Sequence, residues 1–127
     1  MFRNTKAFSS FSIDDLAAAR RFYGETLGVE VASIPGMDEL LELRLEGDVR
    51  VMLYEKQNHE AASFTVLNFI VKNVEETVDE LKRRGVEFEI YTEGPVRTND
   101  KGISEGPGPK IAWFTDPAGN ILSVLET

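Results

Sequence analysis

Ile111-Ala-Trp-Phe-Thr-Asp-Pro-Ala-Gly-Asn-Ile-Leu-Ser-Val-Leu-Glu126 reads as two strands folded about Asp116-Pro117-Ala118-Gly119. Pro117 supplies the fixed φ wanted at the second position of a turn, and Gly119 tolerates positive φ. Apolar residues run on both sides of these four, which is the pattern of a β-hairpin. The rest of the chain can be read outward from this hairpin.

With 127 residues the chain is long enough for one domain with its own core and too short for two ordinary ones, so residues 1–127 are taken as a single domain. The absence of cysteine removes disulfides, thiolate metal sites and cysteine nucleophiles together. No apolar run reaches membrane-spanning length, and Met1-Phe-Arg-Asn-Thr-Lys6 leads into no apolar segment of a secretion signal. These features predict a cytoplasmic protein with no membrane partner. A net charge of −8 argues against affinity for phosphate backbones, so nucleic acid is excluded as a partner.

Taken from the start, Ala7 to Ile13 suits a strand, and Asp14-Asp15 supplies a helix cap. Leu16, Ala19, Phe22, Tyr23 and Leu27 recur at helical spacing before Gly28, predicting a helix over about residues 15–27. Strands follow at 29–34, 39–45 and 49–55, broken by Pro35-Gly36 and turned at Gly47-Asp48. The order then repeats. Val66 to Val71 is a strand, Asn73-Val-Glu-Glu76 has the form of a capping box, and Val74, Val78 and Leu81 make the apolar stripe of a second helix ending at Gly85. Strands at 86–91, 110–115 and 120–126 complete the second half. Residue by residue, Phe11-Ser-Ile13 matches Phe69-Ile-Val71 at a spacing of 58, and Gly28-Val-Glu30 matches Gly85-Val-Glu87 at 57. One residue deleted from the second helix accounts for the change in spacing.

The repeat together with Trp113-Phe-x-Asp-Pro-x-Gly-Asn120 resembles the vicinal oxygen chelate superfamily, which includes glyoxalase I, the bleomycin-resistance proteins and the extradiol dioxygenases. The resemblance covers nearly the whole length. It implies an α+β fold of two tandem βαβββ modules, about residues 1–57 and 64–127, whose mixed sheet curls into a cup with the helices outside. It also implies a homodimer, since small members of the family commonly pair modules between chains.

Alternation along the strands separates a helix-side set from a set on the opposite face. Phe11, Ile13, Val51, Leu53, Leu67, Phe69, Leu122 and Val124 suit the helix side. On the opposite face, polar residues cost desolvation unless something hydrogen-bonds them, so Ser10, Asn68 and Ser123 become candidate ligand contacts, with Tyr54 adding a hydroxyl. Met52 offers apolar surface on the same face. The competing reading is that these polar groups bond to water or neighbouring backbone. In the resembled family, metal-dependent members take one His, Glu or Gln from the first and fourth strands of each module. Those positions fall on Phe8, Met52, Val66 and Ser123, which make no site for a divalent metal, so the expectation is no metal and no cofactor. Catalytic residues are unassigned. His59, the single histidine, lies in the link between modules, and Glu55 and Glu126 occupy equivalent strand ends where carboxylates are usually solvated.

Between Tyr91 and Lys110 the Gly and Pro content argues for a long loop, either a lid or a solvated segment. In it, Arg97 and Lys101 offer positive charge to an anionic ligand and Ile103 offers a cover for the cup. Trp113 just beyond belongs either to the core or to a stacking wall for a planar ligand, and joins the candidate set. The function expected is metal-independent binding of a small organic ligand, as in the bleomycin-resistance branch. The alternatives are a glyoxalase- or dioxygenase-like enzyme with an atypical metal site, and a structural or regulatory interaction module.

Overall fold

The computed structural model describes residues 1–127 as two compact units, Met1–Glu60 and Ala61–Thr127. The fold is α+β with mixed sheets. In the first unit β1 (Ser9–Ile13) leads into α1 (Leu16–Arg21), followed by β2 (Glu30–Ile34), β3 (Met37–Leu45) and β4 (Val49–Glu55). The sheet order is β1-β4-β3-β2, with β1 parallel to β4 and the remaining pairs antiparallel. This is one βαβββ module.

The predicted helix over 15–27 resolves into two pieces. Asp15 caps α1 by accepting from Ala18 N at 3.1 Å, and Phe22–Thr26 then continues as a π-helical turn. There Leu27 N reaches back to the Phe22 carbonyl, and Val29 N bonds to the Tyr23 carbonyl. The wider turn accompanies a fully buried Tyr23 whose ring packs near Phe11 and Phe22. With it lie Ile13, Ala19, Leu41, Leu43, Val51 and Leu53, the core of the unit. Each large apolar side chain so buried contributes about 1.5–3 kcal/mol relative to exposure.

The second unit has β5 (Thr65–Ile70), α2 (Val74–Arg83), a two-stranded hairpin of β6 (Arg97–Thr98) and β7 (Ser104–Glu105), then β8 (Ile111–Thr115) and β9 (Ile121–Leu125). The sheet order is β5-β9-β8, with β5 parallel to β9. Asn73 caps α2 through Glu76 N at 2.9 Å, and Val74, Val78 and Leu81 are the residues α2 buries. They meet Ala112, Phe114, Leu122 and Val124, the buried face of β8 and β9. The 86–91 stretch predicted as a strand is held at one bridge, Phe88 with Phe114, beside which Glu89 N bonds to the Trp113 carbonyl.

The closing hairpin forms as its residues dictate. Gly119 N bonds to the Asp116 carbonyl at 3.0 Å and Gly119 sits at φ 85°. The buried Asp116 carboxylate accepts from Ala118 N, Asn120 N and Asn120 Nδ2, which satisfies donors that the turn would otherwise orphan. No helix is long and apolar enough to cross a membrane.

Candidate functional site

The ladders fix which candidates share a face. In the first unit Ser10 stands opposite Met52 and Ser12 opposite Tyr54, while Met52 pairs on its other side with Glu42 and Tyr54 with Leu40. Because Phe11, Ile13, Val51 and Leu53 take the helix side, Ser10, Met52 and Tyr54 lie together on the open side, as alternation predicts. Glu42 brings a carboxylate into this row. Arg44 Nε donates to it at 2.7 Å and Arg50 approaches to 3.6 Å, so Arg44's hydrogen bond and the charge of Arg50 hold the Glu42 pKa below the usual carboxylate range. A recess of about 530 Å³ near the β3–β4 turn is lined by Lys6, Ala7, Phe8, Gly47, Asp48 and Arg50.

In the second unit Asn68, Ser123 and Trp113 form one row across β5, β9 and β8. Ser123 is 0% exposed, and its hydroxyl donates to Asn68 Oδ1 at 2.5 Å. Asn68 itself is exposed. Ser123 therefore fixes the amide of Asn68 through its oxygen, and this bond leaves the Nδ2 donors unengaged by Ser123 on a strand at the edge of its sheet. The ladder skips Val66, a bulge that takes this residue out of regular alternation.

Trp113 also borders a recess of about 290 Å³ with Tyr91, Glu93, Pro95 and Val96. The Tyr91 and Trp113 rings meet edge to face, 5.6 Å between centroids. Burial first, and then the negative charge of Glu89, push the Tyr91 phenol pKa up. Trp113 is half-buried, so it serves core and recess together.

The long loop is ordered by its own polar side chains. Thr98 Oγ1 accepts from Tyr91 N, Asn99 Oδ1 accepts from Lys101 N and Ile103 N, and Ser104 Oγ accepts from Ile111 N. Ile103 is 3% exposed and bridges Ala112, so it fills the helix-side core rather than covering the open face. Lys101 pairs with Asp79 of α2 at 3.4 Å, and Arg97 stands across from Glu105 in the hairpin. Neither cation borders the Trp113 recess. Buried Ile103 is therefore not placed to cover the open face, and Lys101 is engaged with α2.

The donor set can be compared with what a divalent metal requires. Phe8, Met52, Val66 and Ser123 supply one buried hydroxyl and one thioether, and no group of three or more His, Asp or Glu side chains is arranged to hold a metal. His59 Nδ1 lies 2.6 Å from Ser12 Oγ, which ties the link between modules to β1. Glu55 and Glu126 are engaged at helix N-termini, accepting from Leu16 N and Val74 N. The residues present do not fit the ligand set of the metal-dependent proteins that the sequence resembles.

Solved structures with the same fold include a glyoxalase family protein from Enterococcus faecalis, 27% identical, with a TM-score of 0.68 over 99% of this chain and 100% of that one. TnmS3, an antibiotic binding protein from Streptomyces, is 25% identical, with a TM-score of 0.69 over 97% of each chain. A fosfomycin resistance protein, FosX from Listeria monocytogenes, shares the fold at 14% identity and a TM-score of 0.70, covering 98% of this chain and 93% of that one. Among curated proteins none matches the chain. The family model described as Glyoxalase/Bleomycin resistance protein/Dioxygenase superfamily matches residues 9–124, from the first residue of β1 almost to the end of the hairpin on which the fold turns, and the chain belongs to that superfamily.

Proposed function

We propose that the protein binds a small organic molecule without a metal, sequestering it rather than transforming it. The observation that carries this reading is the row of Asn68, Ser123 and Trp113 beside an aromatic recess, in place of the carboxylates and imidazoles a metal would need. Asn68 supplies oriented hydrogen-bond donors, Ser123 holds its amide, and Trp113 supplies apolar wall. Ser10, Met52 and Tyr54 form the corresponding contact surface of the first module. The antibiotic-binding description of the 25% identical TnmS3 supports a ligand of this kind. The two modules, about 1–57 and 64–127, act as one domain, the chain pairs as a homodimer, and the protein works in the cytoplasm.

A thermal-shift screen of natural products and metabolites in chelator, paired with metal analysis of protein purified without chelator, tests the reading. A ligand selective for the folded state raises its apparent stability. Stabilisation by an organic compound in chelator is the expected result. A stoichiometric transition metal supporting an isomerase or oxygenase activity that chelation abolishes would overturn it.

A further inference from the structure

We infer that the recess formed by Tyr91, Glu93, Pro95, Val96 and Trp113 selects a planar, one- or two-ring aromatic group carrying a positive charge; this rests on the binding function proposed above and names its ligand class. Shape comes first. The edge-to-face Tyr91 and Trp113 rings give two apolar walls at 74° to each other, and Pro95 and Val96 add further apolar lining. At about 290 Å³ the space sits at the small end of ligand pockets, roughly 300–1,000 Å³, so it suits a flat fragment rather than a bulky whole.

Charge sets the second requirement. Glu93 is the one carboxyl side chain in the lining, and burial pushes the Tyr91 phenol pKa up, away from neutrality. No lysine or arginine borders the recess. Lys101 pairs with Asp79 and Lys110 with Glu75, both on α2, so neither lysine is committed to Glu89 or Glu93. An indole face attracts cations through its quadrupole, so aromatic wall and carboxylate favour the same ligand. A carboxylate or phosphate ligand would meet repulsion and find no cationic partner.

The chain has one tryptophan, so a single indole N–H resonance reports on the recess directly. The test titrates 2-naphthylmethylammonium, 2-naphthalenemethanol and 2-naphthoate into isotopically labelled protein at low salt and in chelator. Expected is a saturable shift of the Trp113 indole signal with the ammonium compound, at an affinity about tenfold or more above that of the carboxylate. Glu93→Gln weakens the ammonium compound roughly two- to fivefold, as for a partly exposed charge pair, while Glu76→Gln on α2, an equal change in net charge, leaves it unaltered. Equal affinities for the three probes, a preference for the carboxylate, or no saturable shift from any of them would overturn the inference. A hit in the metal-free thermal-shift screen that leaves the Trp113 signal unmoved would also overturn it while keeping the binding function.

Discussion

Glu126, the residue after β9, accepts a hydrogen bond of 2.8 Å from the backbone N–H of Val74, the first residue of α2. The first module repeats the contact, with Glu55 at the end of β4 accepting from Leu16 N at 2.9 Å. In each module a carboxylate from the last strand meets the unsatisfied, partly positive N-terminus of the helix, beside the Asp15 or Asn73 cap. Glu126→Ala is expected to lower the stability of the protein by about 1–2 kcal/mol, and Glu126→Gln, which keeps an acceptor but loses the charge, by less. Urea unfolding at constant slope measures both, and no loss from the alanine variant would count the contact as energetically silent.

Gly102 holds the loop hairpin against the sheet. It has φ 87°, and a Cβ built there would lie 2.8 Å from Phe88 Cβ and 3.1 Å from the Glu89 carbonyl oxygen. Gly102→Ala combines an unfavourable backbone conformation with a steric clash that a backbone atom helps to define, and should cost about 1–3 kcal/mol. Gly106, also at positive φ but with open space around its Cβ position, should cost less on the same substitution. Thermal melts of the two variants side by side check the order.

For a compound that stabilises the protein in chelator, Asn68→Ala is expected to weaken binding by about 0.5–1.5 kcal/mol through loss of a hydrogen bond. Ser123→Ala should act on the same step, by freeing the Asn68 amide that the serine hydroxyl holds at 2.5 Å. The double variant should then lose less than the sum of the singles, as expected for coupled neighbours. Calorimetric titration of all three decides, and strict additivity would separate Ser123 from the site.

Acid should destabilise the protein through specific carboxylates. Hydrogen bonds from Arg44 to Glu42, from Lys110 to Glu75, and from Arg83 and Arg84 to Glu80 lower these pKa values in the folded state. A carboxyl whose folded pKa is depressed contributes stability above its unfolded value, about 4.3, and loses it as pH falls through the folded one. Urea midpoints should therefore fall between pH 5 and pH 3, less steeply in high salt because these pairs are reached by solvent. Replacing Glu42, Glu75 and Glu80 together by Gln should flatten the profile. An unchanged slope would place the acid sensitivity elsewhere.

Much of the fold was legible because its signals are local. Asp116, Pro117 and Gly119 specify a turn within four residues, and Asp15, Asn73, Gly28 and Gly85 mark helix ends by their own conformational preferences. Alternation on β1, β4 and β9 was equally readable, since side chains on a strand have no choice but to change faces. That is why Ser10, Met52 and Tyr54, and likewise Asn68 and Ser123, were assigned to the face away from the helices, while Trp113 stayed open between core and stacking wall. The long loop misled because its Gly and Pro content describes backbone freedom. It says nothing of Asn99 and Thr98 tying that backbone down, or of Ile103 turning inward to Ala112.

The sequence by itself determined the repeat, the turn chemistry, the helix ends and the sidedness of β1, β4 and β9, all set by interactions within a few residues. Only the tertiary structure decided what those side chains meet. That Ser123 is wholly buried and bonded to Asn68, that Glu55 and Glu126 serve helix N-termini, and that Tyr91 stands against Trp113 all depend on strand register across long sequence separations. Register is a collective result of the packed face, where a slip of one residue would turn every apolar side chain outward. No short stretch of the chain contains that information.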